Sequence, residues 1–265
     1  AACGGGGGGG GVSTLTPPAG VTPVVDPVTS DLTIWNDTVV GTTGEDTVTG
    51  LRIDTVQTFN SGDSITLGDG IDNLSATLNE GTVTPAAITG VENVMFVALG
   101  PATIDFDNVS GVTSLISRGS SATLVVDDIQ EIPTSISVNN NTAAQTFIFK
   151  DTAVSGNTDE LTLQFDGVGG VVNVGSELVG DGDIEIFTII AAGGASDLGA
   201  GNGFGADATT ITVNATSDLD LGSTAQFIAS TNFDASDSTA AVTAVFAAKT
   251  TASETAVTIK GGAGA

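Results

Sequence analysis

Gly41-Thr42-Thr43-Gly44-Glu45-Asp46-Thr47-Val48-Thr49 is the stretch on which the reading of this chain turns. Its spacing is G-G-x-G-x-D-x-U-x, with Thr42 in the second glycine place and Val48 as the large apolar residue U. A second copy, Leu67-Gly68-Asp69-Gly70-Ile71-Asp72-Asn73-Leu74-Ser75, lacks only the first glycine. A third opens with Gly261-Gly262-Ala263-Gly264-Ala265. Glycines permit the φ > 0 backbone that turns carbonyl oxygens inward. The aspartate adds a hard anionic oxygen, and the apolar residue points into a coil. Gly41, Gly44, Asp46, Gly68, Gly70 and Asp72 are therefore candidate calcium ligands, the glycines through carbonyls and the acids through carboxylates. Asp63 and Asp69 lie near the second copy and can help fill a shell of roughly six to eight oxygens. The competing reading is that Asp-Gly clusters simply make β-turns.

Composition narrows the chemistry. The chain carries 31 acidic and 5 basic side chains, a net charge of −26, with no histidine, no tyrosine and one cysteine. A Ser-His-Asp or Cys-His nucleophile is impossible, as is a histidine-ligated zinc, iron or haem site. A single cysteine makes no internal disulfide or thiolate cluster. Nucleic acid is a poor partner, because phosphate contacts need clustered bases and Arg52, Arg118, Lys150, Lys249 and Lys260 are scattered singly. No segment has the ~18 consecutive apolar residues of a membrane span. So anionic a compact body repels itself, and bound divalent cations are a natural remedy.

Abundant Thr, Ala, Val, Gly, Asp and Ser suit short strands and many turns. The first 30 residues read as a Gly/Pro-rich leader or tether: Ala1-Ala2-Cys3, the glycine run Gly4 to Gly11, then Pro17, Pro18, Pro23 and Pro27. The alternative is that the glycines are ordered by packing in an assembly. From Asp31 to Ala265, strands recur roughly every 8–12 residues, the rhythm of an all-β domain. Most alternate apolar residues with Thr, Ser or Asp, giving each one buried and one solvated face. Weak repetition suggests stacked rungs: Gly90-Val91-Glu92-Asn93-Val94 is echoed by Gly182-Asp183-Ile184-Glu185-Ile186, and the turn Asp105-Phe106-Asp107 by Asn232-Phe233-Asp234. A parallel β-helix or β-roll-like solenoid accounts for this. A β-sandwich shares the same periodicity and stays open as the alternative.

The succession Gly41-Thr42-Thr43-Gly44-Glu45-Asp46, Asn60-Ser61-Gly62-Asp63, Gly68-Asp69-Gly70-Ile71-Asp72 and Ile88-Thr89-Gly90-Val91-Glu92 resembles the RTX-like, calcium-binding surface-layer proteins of Gram-negative bacteria. The tail from Asn232 through Gly264 is similar to the C-terminal half of the Caulobacter-type surface layer. The resemblance implies β-solenoid subunits that assemble with their own copies into a lattice or filament, outside the cell, with calcium holding them together. The third copy departs from the pattern in lacking its aspartate, so calcium there would need a ligand from elsewhere; supplied by a neighbouring subunit, it would make Gly261, Gly262 and Gly264 an assembly joint. Outer membrane or surface polysaccharide is the further partner expected.

Other candidates weigh less. Asp181 and Asp183 read as a solvated turn or a further cation site. Asp127-Asp128 with Glu131, and Asp159-Glu160, are not converging acid/base pairs, since neighbours on a strand point to opposite faces. Ala1-Ala2-Cys3 before a glycine run resembles the acylated end of a lipoprotein, making Cys3 a lipidation candidate; the alternative is a free or intermolecularly paired thiol. Trp35, Met95 and Phe96 read as core or rung-stacking residues. The function expected is structural self-assembly at a bacterial surface, without catalysis. The alternative is a monomeric adhesin or carbohydrate-binding lipoprotein, and behind it a glycan-cleaving β-helix.

Overall fold

The computed structural model describes residues 26–177, 183–199, 203, 208–222, 230–246 and 258–263. Among them there is no helix. The molecule is a parallel β-solenoid, and its spine is a sheet of eleven strands that follow one another in chain order. These are Thr29–Asp31, Thr47–Gly50, Asn73–Leu78, Asn93–Ala98, Ser114–Arg118, Ser135–Asn139, Glu160–Asp166, Ile186–Ala191, Thr210–Ala215, Asn232–Asp234 and Thr258–Lys260. Every pairing along the spine is parallel, so the strands are joined by coils and not by hairpins. This decides between the two architectures that periodicity left open.

The register stacks like upon like. One inward column runs Val48, Leu74, Val94, Leu115, Ile136, Leu163, Ile189, Val213, each beside the next and all buried. Two residues on, Ala76, Phe96, Ser117, Val138, Phe165, Ala191 and Ala215 form a second. Outward columns lie between them. The first is Thr47, Asn73, Asn93, Ser114, Ser135, Thr162, Thr188, Thr212; the other is Thr49, Ser75, Met95, Ile116, Ser137, Gln164, Ile190, Asn214. β-Branched residues suit both faces of such a pleat.

The other walls are shorter. Gly81–Val83, Ala102–Asp105, Leu124–Ile129, Gln145–Phe149 and Val172–Ser176 form a second parallel sheet. Thr38–Val40, Ser64–Thr66 and Ala87–Thr89 form a third, and Ser196–Asp197, Leu219–Asp220 and Val242–Thr243 a fourth. Arg52–Ile53 and Val56–Gln57 make a small antiparallel hairpin on an otherwise parallel molecule. Buried Ser117 breaks the aliphatic filling of its column. Its hydroxyl donates to Gln145 Oε1 at 2.7 Å and accepts from Asn141 Nδ2 at 2.8 Å, so the polar inclusion is satisfied internally.

Some local expectations change. Ile34 and Trp35 form a bend, and Trp35 is 75% exposed, not core. Met95 faces outward, while Phe96 is buried as expected, tilted against Phe59 and edge-on to Phe106. The spine begins at Thr29, just inside the stretch read as leader. Cys3, the glycine run, Asp181 and Gly264 lie outside the described residues.

Candidate metal centre

The turn 41–46 sits directly on the turn 67–72 of the next coil. Gly41 N donates to Thr66 O and Asn73 N to Asp46 O, pinning both ends of the stack. Glycine is needed because backbone meets backbone. A Cβ on Gly70, where φ is +137°, would lie 2.5 Å from Gly44 O and 3.1 Å from Asp72 Oδ1. One on Gly68, at φ +104°, would collide with Thr42 O, and one on Gly41 with Leu67. Gly68 and Gly70 thus have the expected positive φ. Gly41 owes its identity to close approach instead, and neither it nor Gly44 has a positive φ.

The acids opening successive spine strands form a column: Asp46 before Thr47, Asp72 before Asn73, Glu92 before Asn93. Each carboxylate reaches back to the preceding coil. Asp46 N donates to Asp72 Oδ1 at 2.6 Å, and Asp72 N to Glu92 Oε2 at 2.8 Å. Asp159 N donates likewise to Glu185 Oε2 at 2.9 Å, so the repeat around Glu92 and Glu185 has a shared structural job.

The two aspartates at the heart of the column differ in what surrounds them. Burial pushes the Asp46 carboxyl up. The Val28 and Thr42 amides, at 2.5 and 2.6 Å, and the Thr42 hydroxyl outweigh it and hold Asp46 below the ordinary value. Asp72 is wholly buried, and its Oδ2 has no hydrogen-bond partner. Burial raises its pKa, the Asp46 amide offsets part of this, and the charges of Asp46, Glu92 and Glu45 raise it further. An anionic oxygen without a donor, among three other acids, fits a cation. Asp72 has a free oxygen to offer one; Asp46 has both of its oxygens engaged in capping the turn.

The remaining predicted ligands divide. Asp69 is exposed on the lower turn. Asp63 opens a different strand, Ser64–Thr66, and caps another corner by accepting Asn60 N at 2.7 Å and Asp37 N at 2.8 Å. Burial raises its pKa, offset by those two amides. At the far end, a Cβ on Gly262 would collide with Ala235 O and Ser238 O, so stacking within the chain already demands that glycine, while Gly261 has open space.

A second cluster went unseen in the sequence. Asp105, Asp107 and Asp128 place one carboxylate oxygen each within 4.8 Å of one another and can hold a metal ion. Asp128 gets there through a β-bulge. The register with Gln145–Phe149 shifts between Val126 and Ile129, and Asp128 adopts φ +58°. Alternation therefore fails at Asp127-Asp128, and both side chains are part-exposed. Lys150 Nζ stands in this cluster, 2.7 Å from Asp107 Oδ1 and 3.0 Å from Asp128 Oδ1. Those two contacts hold the ammonium well above the ordinary lysine value. Glu177 bonds Asp128, which lowers Asp128 and raises Glu177.

No protein-family model matches the chain, and no curated protein matches it in sequence.

Proposed function

We propose that this protein is a structural, self-associating component of a bacterial cell surface whose stacked turns are tied by calcium, with no catalytic role. One observation carries the metal reading: Asp72 Oδ2, buried and without a donor, in a column of acids with Asp46 and Glu92. Calcium takes hard oxygens in flexible geometry, and Asp72 with neighbouring backbone carbonyls such as that of Gly44 offers that donor set. A bound cation would also relieve some of the −26 charge. The self-association reading is supported by the regular parallel stack. Its last described strand, Thr258–Lys260, pairs only with Asn232–Asp234 among the described residues, and Ile259 is 59% exposed. Unpaired strand edges recruit further strands. An extracellular site and a lipid anchor on Cys3 rest on the resemblance of the sequence alone.

Trp35 favours a second reading, that of a monomeric glycan-binding adhesin. Its exposed bend is braced by Thr33 N donating to Asp37 Oδ2 at 2.6 Å and by Trp35 N donating to Thr33 Oγ1 at 3.2 Å. Electron microscopy and light scattering with calcium and with EGTA separate the two. Calcium-dependent ordered particles support assembly; dispersed monomers in both media sink it.

A further inference from the structure

We infer that copies of this chain join head to tail, the first spine strand of one extending the ladder past the last described strand of another. The strands are Thr29–Asp31 and Thr258–Lys260, each with a single strand partner among the described residues. This rests on the self-association proposed above and gives it a joint. Adding a parallel strand to a sheet edge is an established mode of recognition, and a head-to-tail contact that does not close on itself makes a filament.

Register and charge choose the occupant. A ladder continued in parallel sets Ser30 of one copy beside Ile259 of the other, and Asp31 beside Lys260. The facing agrees. Ser30 pairs with buried Val48 and Ile259 with buried Phe233, so both lie on the inward side. Asp31 pairs with Thr49 and Lys260 with Asp234, so both lie on the outward side. Neighbouring strands are about 4.8 Å apart, and across one such gap Lys260 Nζ already reaches Asp234 Oδ2 at 2.7 Å. Across the next gap exposed Asp31 would give the same ammonium a second carboxylate. Head-to-head contact would instead set Asp31 against Asp31, and tail-to-tail contact Lys260 against Lys260, so charge selects against both.

The two ends also match in shape. Beside Thr258–Lys260 lies a hollow of about 350 Å³ lined by Phe233, Val242, Phe246, Ile259 and Gly262. Phe233 and Phe246 meet there edge-on at 5.2 Å. Ile259 is 59% exposed although it stands on an inward column, so the core reaches this end uncovered. At the other end, the bend after Asp31 carries Ile34 and Trp35, 46% and 75% exposed. In the continued ladder this bend follows Asp31 as Gly261 and Gly262 follow Lys260, which brings it over the hollow. A tryptophan in an apolar recess is a common interface anchor. Asp37, the acid on the bend, is turned back onto Thr33. End-on joining also suits the net charge of −26. Eleven strands make a body about 48 Å long, and most of two such bodies then lie farther apart than a Debye length of about 8 Å.

The test uses the full chain in calcium and reductant, followed by sedimentation, electron microscopy and fluorescence. Trp35 is the only tryptophan and there is no tyrosine, so emission reports this bend alone. With rising concentration the native protein should form filaments while its emission moves to shorter wavelength. Asp31→Lys should raise the concentration needed by about tenfold or more, and the swap Asp31→Lys with Lys260→Asp should restore assembly. Trp35→Ala, at an exposed position, should abolish filaments with the circular dichroism and melting point of the monomer unchanged. Particles that form without an emission shift, equal assembly by Asp31→Lys or Trp35→Ala, or a swap that restores nothing overturns this joint alone. Native protein that stays monomeric in calcium at every concentration overturns self-association as well.

Discussion

Asp46 donates its backbone amide to Asp72 Oδ1 at 2.6 Å, so the acid that closes one turn is held by the acid that closes the next. The bond explains why the spine stays in register at this corner, because a slip of one residue would leave a buried amide and a buried carboxylate unpaired. It also sets two carboxylates close together in a buried place. The other oxygen of Asp72 has no donor, and this corner is where a cation would act most strongly.

Glu92 tests the column most simply. Glu92→Gln keeps an oxygen for the Asp72 amide while removing a negative neighbour of Asp72. Its metal-free melting point should match or exceed the native value. Glu92→Ala leaves that amide unpaired and should cost about 1–3 kcal/mol. Urea melts of both variants in EGTA check the order.

Gly70→Ala should be strongly destabilising. It forces φ +137° on a residue with a Cβ and drives that Cβ against Gly44 O. A loss of about 3 kcal/mol or more is expected, measured by denaturant midpoint at unchanged slope. Gly261→Ala, facing open space, should be near neutral.

The fold was legible where residue pattern and geometry coincide. Val48 and Leu74 sit in the nonapeptides where an inward residue belongs, and they stack as one column. What alternation could not supply is strand direction, since a parallel coil and an antiparallel sandwich bury every second residue alike. Trp35 misled because size was taken for burial, whereas Thr33 and Asp37 hold its bend outward. Asp128 was missed for a different reason. Strict alternation sends neighbours to opposite faces, and one bulge, with positive φ at Asp128, cancels that rule. The stacking of Gly68 and Gly70 on the turn above is a long-range contact, and spacing alone gave only its period.

Lys150 should control metal binding at the second cluster. In the native chain its ammonium lies between Asp107 and Asp128. Lys150→Met removes the competing ammonium from those carboxylates, so terbium luminescence should report tighter binding at this cluster in the variant than in the native chain. These ion pairs are partly exposed and screened by solvent, so the melting point should fall only slightly.

Acidity should act in opposite directions on the two aspartates. The pKa of Asp72 is raised in the fold, so its contribution is fully present below the ordinary aspartate value of 3.8 and is lost as pH rises through the folded value. Asp46 is lowered, so its contribution is present above 3.8 and is lost as pH falls through its depressed value. Asp234, held down to about 2 by Lys260 and Ser236, follows Asp46. Metal-free protein should therefore melt highest on the acid side of neutrality, with calcium restoring stability on the neutral limb. Thermal melts from pH 3 to pH 8, in EGTA and in calcium, would show the crossing.

The most direct measurement is a calcium titration of the melting temperature for the native chain and Asp72→Asn, both first stripped with EGTA. Calcium should stabilise the native chain by about 2.7 kcal/mol at a concentration of 100 Kd. Asp72→Asn should start at or above the metal-free native value and respond little. Equal responses from both proteins, or none from either, would contradict the account.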